Sequence, residues 1–90
     1  MDPVETLRDR ATARGWTPTD DPRVWRTHNA DGSEEAVVRV AGGSYDARVL
    51  RHPTGPTPGP DPELSNGPRV FRSVEEALDY AESNLGADGR

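Results

Sequence analysis

The sequence has no cysteine, no lysine and no isoleucine among its 90 residues. Without cysteine, the chain can form no disulfide bond, no thiolate metal site and no cysteine nucleophile, which fits a reducing compartment. The content of apolar residues is also low: 31% of the residues are hydrophobic, and the aromatic residues are two Trp, two Tyr and one Phe. We therefore expect a single domain over residues 1–90 with a thin core and modest stability, which a partner subunit would increase.

Long apolar runs are also missing. The longest run is Ala36-Val37-Val38, whereas a membrane-spanning helix needs about 20 apolar residues. The amino terminus lacks the basic and then apolar layout of a secretion signal. These features predict a soluble, cytoplasmic protein that makes no contact with a membrane.

All eleven basic residues are arginine, against sixteen acidic residues. A GC-rich genome favours arginine codons over lysine codons, and adaptation to a salty cytoplasm favours an acidic surface that is poor in lysine. We favour salt adaptation, and neither cause specifies an activity. The charges are unevenly placed: residues 23–52 hold five arginines and four acids (+1), whereas residues 73–90 hold one arginine and five acids (−4).

A first helix is predicted over residues 3–14. Asp2 can cap its amino terminus, and proline suits the first helical position that Pro3 would occupy. Gly15 can adopt the left-handed backbone conformation that ends a helix, and Trp16 is placed to pack back on the last turn, as in a Schellman motif.

A second helix is predicted to begin after Ser73, which forms a Ser-x-x-Glu capping box with Glu76. Its apolar residues recur at helical spacing and form one continuous stripe, which consists of Val74, Ala77, Leu78, Ala81 and Leu85. Gly86 is expected to end this helix.

Between the two helices the apolar period changes to two, which predicts three short strands over residues 23–28, 35–41 and 45–51. The cluster at residues 29–32 and the Gly42-Gly43 pair are turn signals. The pattern is typical of a three-stranded antiparallel meander.

Residues 53–68 hold six of the nine prolines and three of the nine glycines, and we expect them to form an exposed loop without regular structure. A polyproline-reading domain could bind its Pro53-Thr-Gly-Pro56 segment, although a tolerated surface insertion is the favoured interpretation. A short fourth strand is predicted over residues 69–72.

The predicted fold is therefore α+β, in the order α-β-β-β-(β)-α, with a small antiparallel sheet and both helices packed on one face. The order of a helix, three strands and a helix resembles that of the double-stranded-RNA-binding domain. That family binds phosphates with lysines at the start of its second helix, where this chain has Ser73-Val74-Glu75-Glu76, which would repel phosphate. The resemblance covers element order alone.

Strand alternation assigns side chains to the two faces of this sheet. The residues expected to face the helices are Ala36, Val38, Val40, Ala47 and Val49. On the opposite face we expect Arg26, Arg39 and Arg48 to cross three strands, where they could bind an acidic partner, a phosphate or an RNA backbone. The alternative is that these arginines only solvate an open sheet face and pair with Asp46 or Glu35.

Signals for catalysis or cofactor binding are weak. His28, His52 and Asp46 could in principle form a two-His-one-carboxylate metal site, but no short ligand spacing links them. Ser44 lies in a hairpin turn, without the strand-to-helix elbow that a nucleophilic serine needs. We therefore expect no cofactor, no metal and no enzymatic activity.

Trp16 and Trp25 are interpreted as buried anchors of the core. Three functions remain as hypotheses. The first and favoured one is a small protein-interaction module or homodimer, assembled through a strand edge or the open sheet face, with an unknown protein or a second copy as partner. The second is a nucleic-acid-binding module that uses Arg26, Arg39 and Arg48. The third is an enzyme or enzyme subunit.

Overall fold

The computed structural model describes residues 2–29, 34–51 and 63–85. A helix lies at either end of the described chain and five strands lie between them. The elements are α1 (Pro3–Ala13), β1 (Thr17–Pro18), β2 (Val24–His28), β3 (Glu34–Ala41), β4 (Ser44–Arg51), β5 (Glu63–Phe71) and α2 (Val74–Ser83). The α+β class and the position of both helices are as predicted.

Helix α1 begins and ends as its sequence predicts. Asp2 Oδ1 accepts a hydrogen bond from the Val4 N–H at 2.9 Å, which satisfies one of the free amides of the first turn. At the other end Gly15 has a φ of 81°. The Trp16 N–H donates to the Ala11 carbonyl at 2.9 Å and the Gly15 N–H donates to the Thr12 carbonyl at 3.1 Å, which are the two hydrogen bonds of a Schellman motif.

Helix α2 starts at the predicted cap, where the Ser73 hydroxyl accepts from the Glu76 N–H at 3.4 Å. The predicted apolar stripe is buried at Val74, Ala77, Leu78 and Ala81 and partly buried at Leu85. The helix ends at Ser83, and Asn84 is its C-cap, with Nδ2 donating to the Tyr80 carbonyl at 2.8 Å. The predicted terminator, Gly86, lies outside the described residues.

The five strands form one antiparallel sheet in the order β1-β2-β3-β4-β5. Gly42 and Gly43 make the predicted two-residue connection between β3 and β4. At the predicted turn over residues 29–32 only Asn29 is described; its N–H donates to the Glu34 carbonyl at 3.1 Å, and its Oδ1 accepts from the Glu34 N–H at 3.1 Å.

One face of the sheet, called here the inner face, packs against both helices and forms the core. Trp25, Val38 and Ala47 are paired across β2, β3 and β4 on this face. They belong to one buried cluster with α1 residues such as Leu7 and α2 residues such as Leu78. The prediction that both helices cover one face is therefore confirmed.

Part of the expected loop over residues 53–68 was wrongly predicted. Residues 63–68 belong to β5, which is an edge strand of the sheet. Pro68 is tolerated there because a proline on an edge strand leaves no N–H group without a partner. A Cβ at Gly67 would lie 2.7 Å from the Ala47 carbonyl oxygen, so only glycine permits this close pairing with β4. Residues 53–62 lie outside the described residues.

Strand β1, which pairs with β2 through Thr17 and Pro18, was not predicted at all. The fourth predicted strand, over residues 69–72, is the end of β5, which stops at Phe71. Within residues 2–29, 34–51 and 63–85, no helix is long and apolar enough to span a bilayer.

Candidate functional site

The sheet face turned away from the helices, called here the outer face, is the main candidate site. The side chains that β2, β3, β4 and β5 direct to it alternate with the core residues. Pairing across β2, β3 and β4 defines three rows on this face: Val24-Arg39-Asp46, Arg26-Val37-Arg48 and His28-Glu35-Leu50. Arg26, Arg39 and Arg48 therefore lie on the face where the sequence predicts them.

The apolar side chains of the three rows follow one diagonal across the sheet. Val24 lies in the first row on β2, Val37 in the second row on β3 and Leu50 in the third row on β4. Leu64 on β5 pairs with Leu50 and lies beside it at the end of this line, in the third row. We call Val24, Val37, Leu50 and Leu64 the apolar stripe.

The arginines of the outer face all have acidic neighbours on the same face. Arg26 Nη1 lies 3.3 Å from Glu35 Oε2. Arg48 Nη2 lies 3.0 Å from Asp46 Oδ1, and Arg39 Nη2 lies 3.9 Å from Asp46 Oδ2. The face therefore carries mixed charge beside its apolar residues, and its arginine groups are already partly neutralised.

A shallow groove of about 260 Å³ runs along the middle of the stripe and is lined by Val24, Val37, Arg39, Arg48 and Leu50. Pockets for drug-sized ligands usually exceed about 300 Å³ and enclose most of the ligand. The size and the apolar floor of this groove suit one or two side chains of another polypeptide better than a metabolite.

The most exposed large hydrophobic side chains of the described residues lie on β5. Leu64 is 49% exposed and Val70 is 61% exposed. Val70 pairs with Asp46 and therefore also points to the outer face. Clustered exposed apolar side chains with a polar surround are typical of interaction surfaces.

The two edges of the sheet are poor templates for adding another strand. Strand β1 is two residues long, and β5 contains Pro68 and has irregular pairing with β4 at Val49. Short edge strands, prolines and bulges are the usual means by which proteins block pairing at an edge. The described structure therefore favours the outer face over a strand edge as the binding surface.

A charge cluster between the helices was missed by sequence reasoning. Arg14 on α1 contacts Glu75, Asp79 and Glu82 on α2 at 2.8, 2.8 and 3.0 Å. Hydrogen bonding to Asp79 is the largest cause that raises the pKa of Arg14. Trp16 Nε1 donates to Glu82 Oε2 at 2.8 Å. The spacing of the three acids places them on one face of α2, but only the packing of α1 beside α2 shows that they meet a cation.

The two described members of the metal site considered from the sequence, His28 and Asp46, lie in different rows of the outer face. His28 Nδ1 lies 2.8 Å from its neighbour's carbonyl oxygen, that of Asn29. No three histidine, aspartate or glutamate residues group as metal ligands in the part of the chain that the structure describes. His52 lies outside that part.

A second cleft, of about 280 Å³, lies between α1 and the segment that joins β1 to β2, with Trp25 in its lining. The Thr19 hydroxyl in this cleft is already used, since it accepts from the Asp21 N–H at 3.1 Å and lies 2.9 Å from the Asp21 carbonyl oxygen. Asp21 in turn pairs with Arg23 at 3.1 Å. These local bonds shape the segment itself, so the outer face remains the main candidate.

No known protein family, curated protein or solved structure matches the chain.

Proposed function

We propose that this protein is a non-catalytic interaction module that binds another polypeptide through its outer face. The observation that carries the proposal is the apolar stripe on a sheet face that neither helix covers. Burying a Val or Leu side chain completely contributes about 1.5–3 kcal/mol. Half-burial of four such residues in a complex would therefore provide a substantial part of a binding free energy.

The charges around the stripe suit a polypeptide partner. An interface usually has an apolar centre and a polar rim, and arginine is enriched in such interfaces. On the outer face the three arginines and two acids flank the stripe on both sides. A partner with mixed charge can satisfy both signs, which a uniformly anionic ligand cannot.

Nucleic-acid binding is the second candidate, and the observation that favours it is the presence of Arg26, Arg39 and Arg48 on one face. A phosphate backbone would have to compete with Glu35 and Asp46, whose side chains are only 16% and 11% exposed and already contact these arginines. Fluorescence anisotropy with a labelled single-stranded RNA tests this candidate. Affinity that falls steeply between low and high salt would support it.

Site-specific photo-cross-linking tests the proposed function. A photo-reactive phenylalanine analogue replaces Val37 at the centre of the outer face, and the matched control carries it in place of Thr12, which is exposed on α1. Both proteins are irradiated inside the cells that produce the chain. We expect covalent adducts with a polypeptide from position 37 and none of the same mass from position 12.

The adducts separate the hypotheses. A polypeptide adduct specific to position 37 supports an interaction module, whatever the identity of the partner. Nuclease-sensitive adducts from position 37 would replace the proposal by the nucleic-acid candidate. Equal adducts from both positions, or none from either, would contradict a binding role for the outer face.

A further inference from the structure

Arginine carries the positive charge of this lysine-free chain, and most of the described arginines are paired with an acid. The described residues include ten arginines. The eight that have an acidic side chain at 3.9 Å or less are Arg8, Arg10, Arg14, Arg23, Arg26, Arg39, Arg48 and Arg51. Among the described residues, Arg69 and Arg72 have no such partner. These two guanidinium groups therefore keep hydrogen-bond donors that no described acid uses.

Arg69 differs from Arg72 because two aromatic rings hold its side chain. The Arg69 Cζ atom lies 5.8 Å from the ring centre of Phe71 and 5.7 Å from that of Tyr80. The two ring centres lie 5.4 Å apart and the rings are tilted by 46°, so the three centres form a nearly equilateral triangle. Both distances from the guanidinium group are within the range of about 6 Å for cation–π interactions.

The fold places this group at a corner between the edge strand and α2. Arg69 and Phe71 of β5 pair with inner-face residues of β4, and therefore point to the side of the sheet that the helices cover. Tyr80 comes from α2. Phe71 and Tyr80 are partly buried against the core, whereas Arg69 is exposed. Core packing therefore fixes the two rings, and the rings in turn restrict the guanidinium group.

We propose that Arg69 is a binding site for a carboxylate group of another polypeptide. A guanidinium group that lies against aromatic faces keeps its N–H donors in its own plane, where they match the two oxygens of a carboxylate. Arg69 makes no hydrogen bond with a described residue. Because the rings already restrict the side chain, less conformational entropy is lost on binding. The site lies on the opposite side of the sheet from the outer face and does not depend on the proposed function.

The charge of α2 favours a carboxylate over a phosphate group. Glu76 lies one turn before Tyr80 on the same face of α2, and it is exposed and makes no ion pair with a described residue. This negative charge repels a phosphate group, which carries up to two charges, more than a carboxylate, which carries one. A single negative charge is therefore the better match for Arg69.

The exposure of Arg69 favours a polypeptide over a small metabolite. One exposed ion pair binds weakly, so a free small carboxylate would bind only at millimolar concentration or above. When the carboxylate belongs to a polypeptide, the other contacts of the complex raise its effective concentration beside Arg69. The ion pair then increases the association rate and fixes the orientation of the partner.

NMR titration of the isotope-labelled full chain tests this site. The arginine Nε–H signals are followed at about pH 6, where glutamate is ionised, and at low salt, where screening is weak. The probe is a short glycine peptide that contains one glutamate and is blocked at both ends. We expect it to shift the Arg69 signal with a dissociation constant on the order of 10 mM. The Arg72 signal, which is the internal control, should shift by at least about 3-fold less.

Variants separate the geometry of the guanidinium group from its charge. Arg69→Lys keeps the charge and loses the planar fork, so the affinity for the peptide should fall by about 3-fold or more. Arg72→Lys is the matched control and should leave the affinity unchanged. Tyr80→Leu removes one ring and should weaken binding by about 2-fold or more. The comparison of the two signals in the wild type needs no variant, so it remains valid if Tyr80→Leu does not fold.

A second peptide tells the two sources of a carboxylate apart. It has glutamine in place of the glutamate and a free carboxyl terminus. Tighter binding of the first peptide assigns an acidic side chain, and tighter binding of the second assigns a chain end. Either result supports a carboxylate site at Arg69.

Three other outcomes would overturn the proposal. Inorganic phosphate that binds Arg69 more tightly than both peptides would replace the carboxylate by a phosphate group. Equal shifts of the Arg69 and Arg72 signals would show that the peptides bind by charge alone, and an unchanged affinity of Arg69→Lys would show the same. Because Val37 lies on the other side of the sheet, none of these results changes the cross-linking expected there.

Discussion

The two faces of the sheet come from the same strands and have opposite properties. On the inner face Ala36, Val38, Ala47 and Val49 are completely buried. The residues that alternate with them on β3 and β4 mix apolar and charged groups on a face that the helices do not cover. The inner face therefore supplies the core that stabilises the fold, and the proposed function rests on the outer face. Substitutions on the two faces should have separable effects.

The largest expected difference between the faces is in stability. Leu78→Ala removes a fully buried side chain of the core and should lower the free energy of unfolding by about 2–5 kcal/mol. Leu50→Ala on the outer face should lower it by less than about 1 kcal/mol. Urea denaturation measures both. Equal losses would show that the outer face is part of the core.

The ion pairs between the two helices and those on the outer face should also differ in how much they stabilise the protein. Arg14 contacts three acids of α2 and its side chain is 24% exposed, so Arg14→Ala should destabilise the protein by about 1–2 kcal/mol. Arg26→Ala on the outer face removes the ion pair with Glu35, in which the Arg26 side chain is 55% exposed, and should cost less than about 0.5 kcal/mol. Thermal denaturation at low and high salt compares them. Equal losses of stability from Arg26→Ala and Arg14→Ala would contradict the expectation that the contacts of Arg14 stabilise the fold more than those of Arg26.

Glu34 is the exception on the inner face. It is buried like its inner-face neighbours on β3, and its Oε1 has no hydrogen-bond partner among the described residues. Its Oε2 lies 3.5 Å from Arg51 Nε. Burial of a weakly paired charge is unfavourable, so Glu34→Gln should leave stability unchanged or raise it by up to about 1 kcal/mol. Glu35→Gln, which loses the pairing with Arg26, is the matched control and should not stabilise the protein.

The smallest expected effect lies outside both faces, in the segment between β1 and β2. A hydrogen bond from the Arg23 side chain lowers the pKa of Asp21. A carboxyl whose pKa is lowered by folding contributes stability near neutral pH and loses that contribution as the pH falls through its folded-state pKa. Asp21→Asn should therefore slightly reduce the difference in melting temperature between pH 7 and acid pH. In an Arg23→Ala background the same substitution should have a smaller effect, because the backbone N–H of residue 23 still donates to Asp21 Oδ1.

Sequence patterns predicted the elements that local interactions specify. The Schellman ending at Gly15, the Ser73 cap and the apolar period of α2 each depend on residues a few positions apart, and each lies where predicted. The alternation along residues 35–51 also assigned the inner and outer faces. These features need no knowledge of how distant segments meet.

The missed features depend on contacts between distant segments. Strand β1 is two residues long and exists because Thr17 and Pro18 meet β2. Strand β5 contains Gly67 and Pro68, which disfavour an isolated strand and are tolerated at an edge beside β4. The contacts of Arg14 with the α2 acids depend on the packing of α1 beside α2, which periodicity does not fix. The pairing of Arg26 with Glu35, by contrast, is the alternative that the sequence offered.

The most direct test of the central claim compares the photo-cross-linked adducts from position 37 on the outer face with those from position 12 on α1. If the outer face binds another polypeptide, position 37 gives a polypeptide adduct that position 12 does not give. If position 37 gives no polypeptide adduct, or only the adducts that position 12 also gives, the result would contradict binding through the outer face.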